Sequence, residues 1–224
     1  MMSVWPVSSG WRAPMNIDGN RFRRARFASF LALADRVQTS GAAIRILDIG
    51  GTQSYWEGLA PLWSGRNFDI TIVNLDTPAS DNGAYHIRTG NACAMPEHAD
   101  NSFDIVHSNS VIEHVGQWPQ MAAMAREVRR LAPHYYLQTP NLWFPVEPHY
   151  RSLFFALWPE AVRARKLMKR RHGFRGPHPD FATAIADVQT VNLLDARGLT
   201  ALFPDGKLIR ERFIGLTKSL TVVR

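Results

Sequence analysis

The chain has 224 residues, 46% hydrophobic and 20% charged, a balance that excludes a disordered chain and leaves room for one α/β domain with a sizeable core. Its single cysteine, Cys93, excludes an internal disulfide and fits a reducing compartment. The net charge of +7 is uneven: residues 41–150 hold 6 basic and 11 acidic side chains, and residues 151–224 hold 14 basic and 6 acidic.

No apolar run is long enough to cross a bilayer; the longest candidate is residues 153–158. The N-terminus lacks the charged region and apolar stretch of a signal peptide, so a cytoplasmic location is expected, with peripheral contact at the inner membrane surface as a variant. Residues 1–19, rich in Ser, Pro and Gly around Trp5 and Trp11, read as a tail or as a strap over the site. Phe22, Phe27, Phe30, Leu31, Ala34 and Val37 recur at helical spacing, which predicts a leading helix within 20–40. Gly41 ends it.

Residues 44–47 form an apolar run consistent with a strand buried on both faces. Asp48 closes the run, and Gly50 and Gly51 turn the chain toward the next helix. Without Cβ atoms these glycines allow positive φ and close approach of a ligand. A pyrophosphate fingerprint would need glycines at Thr52 and Tyr55, so a dinucleotide is disfavoured. Asp48 suits a ligand with a cationic amino group; a tight turn with no ligand is the plainer alternative.

After a short helix around residues 56–62, a β-branched run predicts a second buried strand over 68–76, ending in Asp76. An acid at that strand tip can accept hydrogen bonds from ribose hydroxyls. Residues 85–88 read as a third strand leading into Gly90-Asn91-Ala92, and residues 102–115 as a fourth strand with the turn after it. Residues 117–131 read as a helix with Met121, Met124 and Val128 on one face, and 135–138 as a fifth strand. Strands alternating with helices imply a doubly wound, mostly parallel sheet.

In the motifs Leu47-Asp48-Ile49-Gly50-Gly51, Asn74-Leu75-Asp76, Gly90-Asn91-Ala92 and the run from Phe103-Asp104-Ile105 to Ile112-Glu113-His114, the chain resembles the class I S-adenosylmethionine-dependent methyltransferases. The likeness is greatest to the small ubiquinone/menaquinone-biosynthesis type. It implies a Rossmann-like, seven-stranded α/β sheet with an antiparallel C-terminal hairpin over 207–223 and a helical cap inserted after the fifth strand, in a single methyltransferase domain. It also implies S-adenosylmethionine as cofactor. Asp48, Gly50 and Gly51 would hold its methionine part, Asp76 the ribose, Asn91 and Ala92 the adenine, and Ser108 and Asn109 the floor near the sulfonium. Thr52 and Ser54 stand where the family usually has glycines, and Asn91 where it more often has aspartate.

An unionised hydroxyl acceptor needs a base, and histidine is the usual choice near neutral pH. His114 follows the cofactor floor and reads equally as a helix cap. His149 lies in the proline-stiffened aromatic loop 139–150, which by the resemblance faces the acceptor; there it reads as a base oriented by Glu147, or as a packed loop residue. Asn141, Trp143 and Glu147 are the substrate-side candidates. No metal is expected, because nothing matches the paired carboxylates and asparagine of the metal-dependent catechol type.

Beyond this loop, Ala161, Ala164, Leu167 and Met168 form one helical face, and Arg163, Arg165, Lys166, Lys169, Arg170 and Arg171 crowd the rest. That basic cap is either a solvated face or a site for an anion. Three functions remain open: methylation of a hydroxyl on a small-molecule, lipid-linked or sugar-linked acceptor, with negative charge on the acceptor expected from the cap; methylation of RNA, disfavoured because no appended RNA module is recognisable; and cofactor binding without turnover. A proline pair after the fourth strand, which nucleobase-amino methyltransferases carry, is replaced here by Ser110 and Val111.

Overall fold

The computed structural model describes residues 21–38 and 41–224. The predicted tail or strap over 1–19 lies outside the described residues. The leading helix α1 (Arg21–Val37) buries Phe27, Phe30, Leu31, Leu33 and Ala34, as its helical spacing requires. β1 (Ile44–Ile49) is followed by two short helices, α2 (Gln53–Glu57) and α3 (Ala60–Trp63), where one was expected. Then come β2 (Phe68–Asn74), β3 (Ser80–Asn82), β4 (Tyr85–Thr89) and β5 (Ile105–Asn109). α4 (Trp118–Leu131) leads to β6 (His134–Pro140). The C-terminal part comprises α7 (Ala196–Leu202), β9 (Lys207–Phe213) and β10 (Leu216–Val223).

The sheet has eight strands in the order β3-β4-β2-β1-β5-β6-β10-β9. β4, β2, β1, β5 and β6 run parallel, and β10 returns antiparallel to both β6 and β9. The seven-strand expectation is corrected by one edge strand, the exposed β3, which pairs antiparallel with β4. Ser80-Asp81-Asn82 contains no apolar residue, so no hydrophobic pattern announces it.

Two apolar layers cover the sheet. Phe27, Phe30 and Trp56 pack with Ile46, Ile70 and Ile105 on one side, and Met124, Val128 and Phe203 pack with Leu47, Val106 and Leu137 on the other. Successive strand residues point to opposite faces, which is why one strand feeds both layers. The crossover falls between β1 and β5: the chain moves outward through β2 and β4, then returns to continue on the other side of β1. In an open α/β sheet, the crevice at that point is where ligands bind.

Between β6 and α7 stands the cap: β7 (Val146–Glu147) paired with β8 (Ser152–Leu153), then α5 (Glu160–Lys169) and α6 (Phe181–Gln189). It has its own small core of Tyr150, Phe155, Ala164, Leu167, Ala184 and Val188. The predicted apolar face of α5 is thus narrower than expected. Ala164 and Leu167 are buried, whereas Met168 is exposed. No helix among the described residues is long and apolar enough to cross a membrane.

Candidate active site

The turn after β1 requires its glycines. Gly50 has φ of +71°, and a Cβ there would lie 2.5 Å from Val111 Cγ2. A Cβ on Gly51 would fall 1.7 Å from Asp48 Oδ2. The Gly50 amide donates to Val73 O at 2.8 Å, and Asn74 Nδ2 donates to Gly51 O at 2.8 Å, so β2 holds the turn from the side. Thr52, where the family usually has glycine, caps α2 by accepting from the Tyr55 amide at 3.2 Å.

Asp48 lies beneath the glycine turn. Its carboxylate is 1% exposed, with Oδ2 accepting from the Trp56 indole at 2.7 Å and Oδ1 from His107 Nδ1 at 2.7 Å. Both oxygens are engaged from within the protein, so the side chain supports the glycine turn from beneath rather than standing open to a ligand. Ser108 is engaged inside the sheet as well. It is fully buried, and its hydroxyl donates to Ile49 O at 3.2 Å across the β1–β5 pair. Strand alternation sends Asn109 the other way, to the half-buried strand tip.

Ser110 follows with φ of +60°, its hydroxyl on Gln138 Oε1 at 3.0 Å, and Val111 closes over Gly50. Neither residue was among the candidates read from the sequence. Asp76 is exposed just past the end of β2. Asn91, also exposed, follows Gly90 beyond β4; its Oδ1 accepts from the Cys93 amide at 3.0 Å, and Ala92 beside it is half-buried against the core. Gly50, Gly51, Asp76, Asn91, Ala92 and Asn109 therefore stand at or beyond the carboxyl ends of β1, β2, β4 and β5.

The second half of the site follows β5 and β6. His149 Nδ1 donates to Glu147 Oε1, and Glu147 Oε2 accepts from the Tyr150 amide at 2.7 Å. His149 Nε2 lies 3.0 Å from His114 Nε2, and His114 Nδ1 donates to Thr190 O at 3.1 Å. The two expected candidates are thus one pair, with Glu147, 2% exposed, behind it. Surrounding protein, and next the neighbouring His149, push the His114 pKa down to about 4, although one edge of the residue stays open.

Glu113, not anticipated from the sequence, completes the group. It is fully buried, and burial pushes its pKa up to about 7 against the opposing hydrogen bonds of its own amide and of Thr139. Thr139 Oγ1 donates to Glu113 Oε2 at 2.9 Å. The adjacency of Glu113 and His114, repeated in spaced form by Glu147 and His149, is the sequence signal that could have exposed it.

Asn141 is held against the sheet. It is 8% exposed, and its amide donates to Thr217 O at 2.8 Å, tying the loop to β10. Trp143 is 61% exposed, its indole 3.4 Å from Asp195 Oδ2. Beside the histidine pair, Gln117, Leu142, Tyr150, Arg163 and Asn192 help line a cavity of about 290 Å³. The buried Tyr150 hydroxyl and the Arg163 Nε have no partner there. Arg163 therefore leaves the exposed group formed by Arg165, Lys166, Lys169, Arg170 and Arg171.

This strand order, with its antiparallel terminal pair and its loops gathered at the crossover, is the Rossmann-like architecture of the class I methyltransferases. Residues 47–134, less than half of the chain, match the family described as "Methyltransferase domain", which supports an enzyme of the methyltransferase class with S-adenosylmethionine as its cofactor. A SAM-dependent methyltransferase from Methanosarcina mazei is 14% identical, with 85% of this chain and 94% of that one covered and a TM-score of 0.51. The citrinin polyketide synthase CMeT domain gives 12%, 92%, 52% and 0.57 on the same measures. Phosphoethanolamine N-methyltransferase 2 of Haemonchus contortus, in complex with phosphomonomethylethanolamine and S-adenosylhomocysteine, gives 14%, 87%, 41% and 0.51. At such identities the likeness is one of fold. No curated protein matches the sequence. The ubiquinone/menaquinone likeness rests on the motifs alone.

Proposed function

We propose that the chain transfers the methyl group of S-adenosylmethionine to a hydroxyl of a small-molecule, lipid-linked or sugar-linked acceptor. The observation that carries this reading is the His114–His149 pair backed by Glu147, set beyond β5 and β6 next to the loops suited to the cofactor. In this reading the Gly50–Gly51 turn meets the methionine part, Asp76 the ribose, Asn91 and Ala92 the adenine, and Asn109 with Ser110 and Val111 the floor. The sulfonium supplies the leaving group. The protein's work is to align the acceptor oxygen, exclude water and let the hydroxyl proton leave at the histidine pair.

The direct test is mass spectrometry of a cell extract incubated with the protein and an isotopically labelled methyl donor. The expected product is a labelled methyl ether of a small or lipid-linked molecule; label confined to RNA, or no label, would overturn the assignment. Asp76→Ala is expected to weaken S-adenosylhomocysteine binding by ~1–3 kcal/mol, the order for a lost hydrogen bond to a charged group. Calorimetry showing unchanged affinity would remove Asp76 from the ribose site.

An anionic acceptor is favoured by the cap. Arg163 borders the cavity, while Lys166 and Lys169 lie exposed on the same helix. Leu153, Phe154 and Trp158 are exposed nearby, a mixture of apolar and cationic groups that suits an anionic membrane surface. Reversing Lys166 and Lys169 to glutamate is expected to raise the acceptor KM and flatten its salt dependence, with thermal stability nearly unchanged. Equal, salt-independent kinetics in both proteins would reduce these lysines to a solvated face.

A further inference from the structure

The hydrogen bonds around the histidine pair leave it with a surplus of acceptors. His114 Nδ1 donates to a carbonyl, so its Nε2 carries a lone pair. His149 Nδ1 donates to the Glu147 carboxylate, and its Nε2 is left facing the Nε2 of His114 at 3.0 Å. The rings meet nearly edge to face, at 83°. Glu113 adds a third acceptor. One of its oxygens takes the Thr139 hydroxyl, while Oε1 is buried with no hydrogen-bond partner. A carboxylate oxygen of Glu113 and one ring nitrogen from each histidine all lie within 4.8 Å of one another.

A single proton shared by the two nitrogens would satisfy them and still leave the Glu113 oxygen unpaired, at a cost for a group buried so deeply. A cation would satisfy all three. From these contacts we propose that Glu113, His114 and His149 form a binding site for one divalent first-row transition ion such as Zn²⁺, Mn²⁺ or Fe²⁺.

The spacing fits. With metal–nitrogen bonds of roughly 2.0–2.1 Å, two nitrogens on one ion stand about 2.8–3.4 Å apart at bond angles of about 90–110°. Two imidazoles and one carboxylate favour such an ion over Mg²⁺ or Ca²⁺, which prefer all-oxygen sets. Each donor is also oriented from behind: His149 by Glu147, His114 by Thr190 O, Glu113 by Thr139. Ligands of real metal sites are held in this way.

The site stands on its own contacts; its use rests on the methyl-transfer reading. There, with the histidine nitrogens occupied by the ion, an acceptor hydroxyl held against it would lose its proton to water in place of the imidazoles. The O–H bond breaks, the oxygen lone pair forms the O–CH₃ bond, and the S–CH₃ pair remains on sulfur as S-adenosylhomocysteine.

The test uses untagged full-length protein, stripped with a chelator and titrated with Co²⁺ and Zn²⁺. The expected result is one equivalent of Zn²⁺ per chain by mass spectrometry of the metal, and d–d absorption from Co²⁺ bound with nitrogen ligands. His114→Ala and Glu113→Gln should each lose that equivalent while circular dichroism stays native. Glu147→Gln should weaken binding by ~10–100-fold, the usual effect of removing a group that orients a ligand. Wild-type uptake no greater than that of a folded His114→Ala protein would overturn the site. Stoichiometric binding without a methylated product in the extract experiment would leave the site standing and remove the methyl-transfer reading. Full methylation by stripped protein that takes up no metal would do the reverse.

Discussion

His149→Ala is expected to lower methyl-transfer turnover by ~10²–10⁴-fold while leaving the affinity for S-adenosylhomocysteine nearly unchanged. The expectation follows from position. His149 lies in the loop after β6, is held by Glu147 behind it and meets His114 in front, and none of its contacts reaches the glycine turn or Asp76. Loss is expected whether the imidazole takes the proton itself or holds an ion that promotes its departure. Single-turnover measurements at saturating cofactor, alongside calorimetry, separate the two halves of the site. Turnover within a few-fold of wild type would move the chemistry away from the histidine pair.

Asp48→Ala is expected to cost about 3–5 kcal/mol of folding stability, the range for removing one partner from a buried charged arrangement. The substitution strands the Trp56 indole N–H and the His107 Nδ1–H, both buried, and opens space under Gly51. A typical domain has only ~5–15 kcal/mol of stability, so much of the margin would go. Chemical denaturation of wild type and variant gives the difference directly. A variant that keeps its stability but fails to bind S-adenosylhomocysteine would return Asp48 to the ligand.

The elements that position the site were legible wherever burial left a pattern. β1 and β2 are apolar enough to read as strands, the C-terminal hairpin came only through the family resemblance, and the Gly50–Gly51 pair declares its own turn. What could not be read was pairing across the chain. His107 reaches Asp48 from 59 residues away, and Asn141 is satisfied by the β10 backbone 76 residues on. Both residues looked available for another role until the sheet order fixed their partners.

The two histidines show the same limit in a productive form. In the sequence they are alternatives, 35 residues apart. β5 and β6 run parallel in a register that sets Asn109 opposite Gln138. The chain leaving each strand therefore emerges on the same edge, and residues a few positions beyond the two tips can meet. Glu113 went unseen because its value lies in an oxygen left without a partner, a property that exists only after folding.

The separate core of the cap has a consequence for descent. Tyr150, Phe155, Ala164, Leu167, Ala184 and Val188 pack with one another, apart from the two layers that cover the sheet. Substitutions there reshape the wall of the cavity that Tyr150 lines, and their packing cost is confined to the cap. On the methyl-transfer reading proposed above, a lineage built on this scaffold can try new acceptors by drift within residues 150–188 while the residues proposed to seat the methyl donor keep their packing. On that reading, acceptor choice and donor use are separable traits.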